Sequence, residues 1–369
     1  MSTETSTSTP TSIPAPAGGR FNPGRWLPLA GHPLSANDLR QCLRAAAAGT
    51  LGFLACKIFD WNYGVFFTVY PVLLVGLLPV FSGHIARQFV AAAMINSVEV
   101  GLIAGFFSHM PLVMTIIVFG LFFFRFRLMS RGPLLLFGVS SVISLSVMFN
   151  FASYPTTDLH DLLIGNVAAT WLSVLIAALV YYWFPDADPR SPPPRVEKSI
   201  ERIRHETLLG ASLATVSFLV FQLMSLHDSL SAQVASILIL FPMHYRGIIA
   251  AARWRVIGVI LGCFFGLLVQ LLLYDNFHML LLILPLFWVG LMLGARMHVT
   301  EKVGSGIGFG AMTTVAILFG QYLQPNQDLV YTDLYRIGSV AVALLVTLAA
   351  VYIAHTALNL FAATRFIPD

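Results

Sequence analysis

Most of this chain consists of long apolar runs separated by short gaps, and its basic residues fall in every second gap. Of the 21 Lys and Arg residues, all but Lys57 and Arg336 lie in these alternate gaps. The basic gaps hold Arg20–Arg44, Arg87, Arg125–Arg131, Arg190–Arg204, Arg246–Arg255, Arg296–Lys302 and Arg365, and the intervening gaps hold Asp60, Asp158, Asp161, Asp228, Asp275, Asp328 and Asp333. Since Lys and Arg are retained on the cytoplasmic side during membrane insertion, we predict cytoplasmic termini and outward-facing acidic loops.

The composition rules out a soluble globular protein of this length. Hydrophobic residues make up 57% of the chain, charged residues make up 10%, and the mean hydropathy is +0.80. This leaves too little polar surface to cover a water-soluble core. Membrane topology also accounts for the pI of about 9.0, so we expect no nucleic-acid partner.

The apolar runs have the length of transmembrane helices. A helical span needs about 20 mainly apolar residues, whereas barrel strands would alternate over about ten residues. We therefore predict an all-α integral membrane protein with about 12 transmembrane helices. The spans are placed at 43–59, 64–81, 88–107, 111–126, 133–151, 162–184, 207–225, 230–243, 247–274, 279–297, 303–323 and 335–362.

Weak internal similarity divides these spans into two sets of six. The matching positions are Gly101 with Gly262, Gly105 with Gly266, Arg127 with Arg296, Phe149 with Phe319, and Gly165 with Gly338. Because six is even, both sets start on the cytoplasmic side. This predicts two parallel six-helix repeats related by a pseudo-twofold axis along the membrane normal.

The predicted organisation has four segments. Residues 1–39 form a Ser/Thr/Pro-rich cytoplasmic tail that is expected to be disordered. Residues 40–184 form the first repeat and 207–369 form the second. Residues 185–206 form a proline-rich cytoplasmic linker, in which three consecutive prolines favour an extended spacer.

The sequence lacks the motifs of nucleotide hydrolysis, metal binding and hydrolytic catalysis. It contains no GxxxxGK[ST] stretch, and the cysteines show neither disulfide nor zinc spacing. His160-Asp161 and His227-Asp228 have no GxSxG or HExxH stretch beside them, so we interpret them as structural or solvated loop residues. We expect no enzyme activity, no cofactor and no metal.

A carboxylate in the middle of the third span is the sharpest functional candidate. Glu99 lies in INSVEVGLIAG, where an unpaired charge costs about 2.5–3.5 kcal/mol on insertion scales. It must therefore face water, gain a partner or be protonated. Glu99 is a candidate proton-coupling site, and the alternative is a protonated packing carboxyl bonded to Asn96 on the same helix face.

Arginines at the inner ends of the spans are candidates for attracting an anion. They are Arg125, Arg127, Arg253, Arg255 and Arg296. Guanidinium groups facing a central route would bind carboxylates bidentately, whereas the alternative is that they only anchor the helices at the membrane surface. Asn150 is a further polar candidate for lining the path.

Small residues at spacings of four indicate close helix packing. They form the stripe Gly258, Gly262 and Gly266 in the ninth span, and Gly101 and Gly105 echo it in the third. Such stripes allow two helix backbones to approach each other.

The stretch RVIGVILGCFFG, Arg255–Gly266, resembles the RxxGTxxG signature of the fusaric acid resistance and aromatic acid exporter family. Val259 stands where the family has Thr, and the first repeat has Met94 at the position of the Arg. With the six-plus-six layout, the resemblance covers roughly residues 40–365. It points to a compact branch of the family described as a domain of unknown function.

The resemblance implies a component of the bacterial inner membrane that exports aromatic carboxylates or related compounds with a periplasmic adaptor of the membrane-fusion type. We therefore expect a proton-linked exporter of small organic anions. The first alternative is a passive anion channel resembling the aluminium-activated malate channels. A lesser alternative is a scaffold or enzyme of envelope assembly, and homo-oligomerisation is left open.

Overall fold

Twelve α-helices and a short 3₁₀ helix, Ala362–Thr364, make up the regular structure of the residues that the computed structural model describes. These are residues 34–366 except 79, 155–156, 189, 191–197, 225–228, 274–275, 277–278, 302–305 and 322–328, with the backbone alone at 321 and 329–333. The helices are α1 Ala36–Ile58, α2 Gly64–Gly76, α3 Gly83–Phe107, α4 Pro111–Arg131, α5 Leu135–Ala152, α6 Leu159–Trp183, α7 Ile200–Leu223, α8 Leu230–Leu238, α9 Tyr245–Leu273, α10 Leu280–Glu301, α11 Ile307–Gln321 and α12 Leu329–Asn359.

The predicted all-α class is confirmed, and each helix overlaps one predicted span. Within the described residues, eight helices are long and apolar enough to cross a membrane, namely α3–α7, α9, α10 and α12. Two more, α2 and α11, are apolar but shorter. The chain is therefore a multi-pass membrane protein.

Two predicted spans are shorter in the structure than the sequence suggests. α2 ends at Gly76 rather than near 81, and α8 ends at Leu238 rather than near 243. Beyond α8, Pro242 and the left-handed backbone of Met243 (φ 58°) stop the helix. Every residue of α8 is buried, as is all of α2 except Gly64. Helices enclosed by protein need not span the lipid alone, because neighbouring helices satisfy the groups beyond their ends.

Local sequence signals start several of the longer helices. Ser35, Ser82, Asp158 and Ser199 cap α1, α3, α6 and α7 by accepting hydrogen bonds from backbone N–H groups of the first turn. The last of these starts α7 at Ile200, ahead of the expected start of the second repeat at 207.

Two helices occupy the centre of the packing. α5 packs against α3, α4 and α8, while α11 packs against α9, α10 and α2. The two halves of the chain also interlock, because α4 packs on α7 and α1 packs on α10. Phe53, Phe287 and Phe319 join α1, α10 and α11, with ring centroids 4.7–6.2 Å apart.

Close backbone approach requires glycine at a few positions. A Cβ on Gly52 of α1 would lie 2.0 Å from the carbonyl oxygen of Phe67 in α2. A Cβ on Gly258 would lie 2.6 Å from the carbonyl oxygen of Ile307, and one on Gly262 would lie 2.7 Å from Thr314 Cβ. The backbones of α9 and α11 therefore approach each other closely at these glycines.

Some predicted features lie outside the described residues. They are the tail up to Pro33, the three consecutive prolines of the linker, His227-Asp228, Asp275 and Asp328.

We predict that Gly52→Ala destabilises the bundle by about 1–3 kcal/mol, because the new methyl group collides with a backbone carbonyl that cannot move alone. Gly120→Ala, in the middle of α4 with no atom within 4 Å of the new methyl group, is the matched control and should be neutral or stabilising by up to about 1 kcal/mol. Thermal unfolding of the purified protein in detergent measures both. Equal melting temperatures for the two variants would contradict the packing described for α1 and α2.

Candidate functional site

Glu99 is paired with Arg125 across α3 and α4. Nη2 of Arg125 donates to both carboxylate oxygens, at 2.7 Å to Oε1 and 2.6 Å to Oε2. The Arg125 side chain is 3% exposed and that of Glu99 is 21% exposed. The guanidinium also lies over the rings of Phe137 and Phe124, at 5.2 and 5.4 Å from their centroids. Glu99, for which the sequence indicated no charged partner, is therefore paired with Arg125.

Asn96 belongs to the same network through Ser141 of α5. Arg125 Nε donates to Ser141 Oγ at 2.7 Å, and this hydroxyl donates to Asn96 Oδ1 at 2.6 Å. Asn96 Nδ2 donates to the Ser141 carbonyl oxygen at 3.0 Å. The Asn96 amide thus bonds to α5, and Arg125 rather than Asn96 is the partner of Glu99.

A second buried amide lies beside this network. Asn166 Oδ1 accepts hydrogen bonds from Tyr70 Oη at 2.7 Å and Ser144 Oγ at 3.1 Å, and its Nδ2 donates to Ser97 Oγ at 3.0 Å. These bonds join α2, α3, α5 and α6. This cluster was not predicted from the sequence, although the serines of SSVISLS in an otherwise apolar span were a signal for it.

Arg255 is held differently in the second half of the chain. It is 4% exposed, and its Nη1 donates to Thr313 Oγ1 of α11 at 2.7 Å. Its Nε has no hydrogen-bond partner within the described part of the chain. Gly258 and Gly310 leave room for this arrangement, since their backbones meet where the Arg255 side chain passes. Arg255 therefore has a hydroxyl partner where Arg125 has a carboxylate.

A cavity of about 480 Å³ lies between the two halves, where α2 ends and α5 and α9 begin. Its walls are mainly apolar and include Leu78, Val139, Phe241, His244 and Trp254. Ala251, one helical turn before Arg255, also lines it.

The other predicted path residues are dispersed. Arg127 and Arg253 lie on exposed faces of α4 and α9, and Arg296 is partly buried on α10. Asn150 is buried in α5, where its Oδ1 accepts a hydrogen bond from Tyr154. The structure thus joins Glu99, Asn96 and Arg125, while each of these four residues stands apart from that network.

The glycine stripe is also uneven. A Cβ on Gly101 of α3 would lie 3.0 Å from Leu163 Cδ1 in α6, whereas a Cβ on Gly105 would have no atom within 4 Å. Gly266 is partly exposed. The close contacts therefore concentrate at Gly258 and Gly262.

Two polar clamps at the ends of helices were not predicted. Arg44 of α1 donates to Asp186 at 2.5 Å and lies 4.2 Å from the centroid of the Tyr181 ring. In the other clamp, Nε2 of His205 in α7 lies 3.0 Å from Nδ1 of His355 in α12. Each clamp ties the start of one half to the end of the same half.

The acidic loop residues that were predicted to face outward have structural roles. Asp158 accepts from the backbone N–H groups of His160 and Asp161, at 2.9 and 3.2 Å, and Asp161 accepts from Asn62 at 2.7 Å. Among the described residues, no group of three His, Cys, Asp or Glu side chains could hold a metal ion.

Comparisons with known proteins support the resemblance drawn from the sequence. Residues 213–350 match a family described as fusaric acid resistance protein-like, and residues 41–180 match a family described as a protein of unknown function (DUF2955). The predicted family resemblance, with its branch of unknown function, is therefore confirmed. No curated protein and no solved structure matches the chain.

We predict that Glu99→Gln destabilises the protein by about 3 kcal/mol, because it leaves the buried Arg125 without a counter-charge. This value is at the low end for buried pairs, since Glu99 retains some exposure. Arg127→Ala is the control, because Arg127 lies two residues after Arg125 on the exposed face of α4. It should change stability by less than about 0.5 kcal/mol. Thermal unfolding in detergent gives both values.

The double variant Glu99→Gln with Arg125→Met separates pairing from simple loss of a polar group. It should be more stable than Glu99→Gln alone, because no uncompensated charge remains. A single Glu99→Gln variant that melts with the wild type would contradict the pairing.

Proposed function

We propose that this multi-pass membrane protein, matched over residues 213–350 by the fusaric acid resistance protein-like family, exports small organic anions, with aromatic carboxylates as the favoured class. The observation that carries the proposal is Arg255. It is a buried guanidinium with a hydroxyl partner, one helical turn beyond a residue that lines the cavity between the halves.

The energetics of Arg255 favour an anionic ligand. Taking a guanidinium out of water costs several kcal/mol, and one hydroxyl offsets only part of this cost. A carboxylate would supply the missing counter-charge and accept from Nε, which has no partner in the described structure. The site therefore favours an anion over a neutral compound of the same shape.

The cavity fits the apolar part of such a ligand. Its volume of about 480 Å³ lies in the usual range of small-molecule sites, about 300–1,000 Å³. Phe241, His244 and Trp254 offer ring surfaces for stacking on an aromatic ligand. A ring in the cavity with its carboxylate toward Arg255 is the binding mode that we propose.

We further infer that the halves are related by a pseudo-twofold axis. The pairs α3 with α5, α3 with α6 and α2 with α6 recur as α9 with α11, α9 with α12 and α8 with α12. Between the halves, α4 with α7 and α5 with α8 recur as α10 with α1 and α11 with α2. Repetition within and across the halves is what a twofold relation requires.

Hydrogen bonds across the interface support the same relation. Thr68 of α2 donates to the carbonyl oxygen of Ala316 in α11 at 2.8 Å. In the reciprocal place, Gln233 of α8 donates to the carbonyl oxygen of Ser146 in α5 at 2.9 Å. The short helix of each half is thus tied to the central helix of the other, and rocking at these contacts would open the path alternately.

Glu99 and Arg125 supply a means of proton linkage. Protonation of Glu99 would remove its charge and weaken its hold on Arg125. Arg125 would then attract an anion in place of the carboxylate. We propose that this exchange couples proton binding on Glu99 to anion movement, as expected from its position in the third span.

The direction of transport follows from the proposed orientation. With both termini in the cytoplasm, the cavity opens toward the cytoplasmic side of a bacterial inner membrane. Moving one negative charge outward across 100 mV is favoured by about 2.3 kcal/mol, so little proton coupling is needed. A periplasmic membrane-fusion adaptor would receive the exported anion, as the family resemblance implies.

We predict that Arg255→Ala lowers benzoate transport into inside-out vesicles by about tenfold or more, because the charge-assisted hydrogen bond proposed between Arg255 and the carboxylate is lost. Arg253→Ala, two residues away on the exposed face, is the matched control and should change transport by less than about twofold. The neutral analogue benzamide should be affected little by either variant.

Equal loss of benzoate and benzamide transport in Arg255→Ala would contradict anion recognition by this residue. A steady benzoate current through the wild-type protein with no accompanying proton flux would instead favour the anion-channel alternative.

A further inference from the structure

A groove of about 550 Å³ lies between α3 and α4, at the end where α3 begins and α4 ends. It exists because both helices pack on α5 far more than on each other. Its α3 wall includes His84, Arg87, Ala91 and Ile95, which are spaced by three or four residues and so share one helix face. Phe124 and Leu128 of α4 form the opposite wall.

The length of the groove matches one leaflet of a bilayer. His84 and Ile95 are separated along α3 by about 16 Å, at about 1.5 Å per residue. Half of a hydrocarbon core of about 30 Å is about 15 Å. With its polar end placed at a membrane surface, the groove would hold its apolar residues at hydrocarbon depth.

The surface end of the groove is basic. Arg87 is exposed, and its Nε donates to the carbonyl oxygen of Gly83 at 3.2 Å, which holds the side chain at the start of α3. Arg131 is exposed one turn beyond Leu128 on α4. No Asp or Glu is among the residues that line the groove. A ligand with an anionic head and an apolar tail complements this distribution.

We infer that the groove binds an anionic phospholipid, with the phosphate at Arg87 and one acyl chain lying between Ile95 and Phe124. The lipid belongs to the leaflet at this face of the protein, which is the cytoplasmic leaflet in the orientation proposed above. The inference rests on that orientation only for the identity of the leaflet.

A lipid in this groove touches the surroundings of the charged pair. Phe124 and Phe137 line the groove and also contact the Arg125 guanidinium. An acyl chain packed on these rings restricts their movement and so holds Arg125 against Glu99. Bound anionic lipid should therefore stabilise the ion pair between Glu99 and Arg125.

Native mass spectrometry of the full chain in neutral detergent tests the lipid site, after exposure to an equal mixture of phosphatidylglycerol and phosphatidylcholine with identical chains. We expect preferential retention of phosphatidylglycerol by the wild type. Arg87→Ala should lower this preference by about fivefold, the usual effect of one basic residue near an anionic surface. Arg87→Lys should keep most of it, and Arg253→Ala should keep all of it.

A second variant tests the acyl-chain part of the groove. Ile95→Trp fills the groove without changing charge and should lower the retention of phosphatidylglycerol. Equal retention of both lipids by the wild type, an equal loss in Arg253→Ala, or full retention in Ile95→Trp would each overturn the inference. Displacement of the lipid by benzoate would identify the groove as a route for the transported anion instead. Because bound lipid is the readout, failure of the transport proposal would leave this result unaffected.

Discussion

A guanidinium group inside a membrane-embedded bundle needs a counter-charge, and this requirement orders the interior of the protein. In the first half, Glu99 meets it by accepting two hydrogen bonds from Arg125. In the second half, Arg255 is equally removed from solvent but has the Thr313 hydroxyl as its partner. This difference between two buried arginines is the physical basis for proposing that a transported anion completes the second site.

The central helices give these charges their fixed positions. α5 supplies Ser141 to the first arginine, and α11 supplies Thr313 to the second. The short helices α2 and α8 lie almost wholly inside the protein and bond to the central helix of the opposite half. Interior helices freed from spanning the lipid are a feature of transporters with repeated halves, whose sites lie between the repeats. The proposed path through the cavity follows from this arrangement.

The sequence predicted the helices better than it predicted the partners of their side chains. Apolar runs located the twelve helices of the described residues, since the cost of exposing backbone to lipid leaves helices as the available structure. The same cost showed that Glu99 needed a partner, but Arg125 is 26 residues away and on another helix. The ends of α2 and α8 also escaped prediction, because they depend on enclosure by other helices. Tertiary packing, which one sequence does not reveal, decides both the partner of Glu99 and the ends of α2 and α8.

Substrate protection of a cysteine in the cavity tests the central claim most directly. Ala250 lines the cavity and is partly exposed, whereas the native cysteines are all buried. In Ala250→Cys, a membrane-impermeant maleimide should react from the cytoplasmic face, and benzoate should slow the reaction severalfold. This protection should disappear when Arg255→Ala is added. Labelling from the opposite face, or at a rate that benzoate leaves unchanged, would contradict a cytoplasm-facing anion path between the halves.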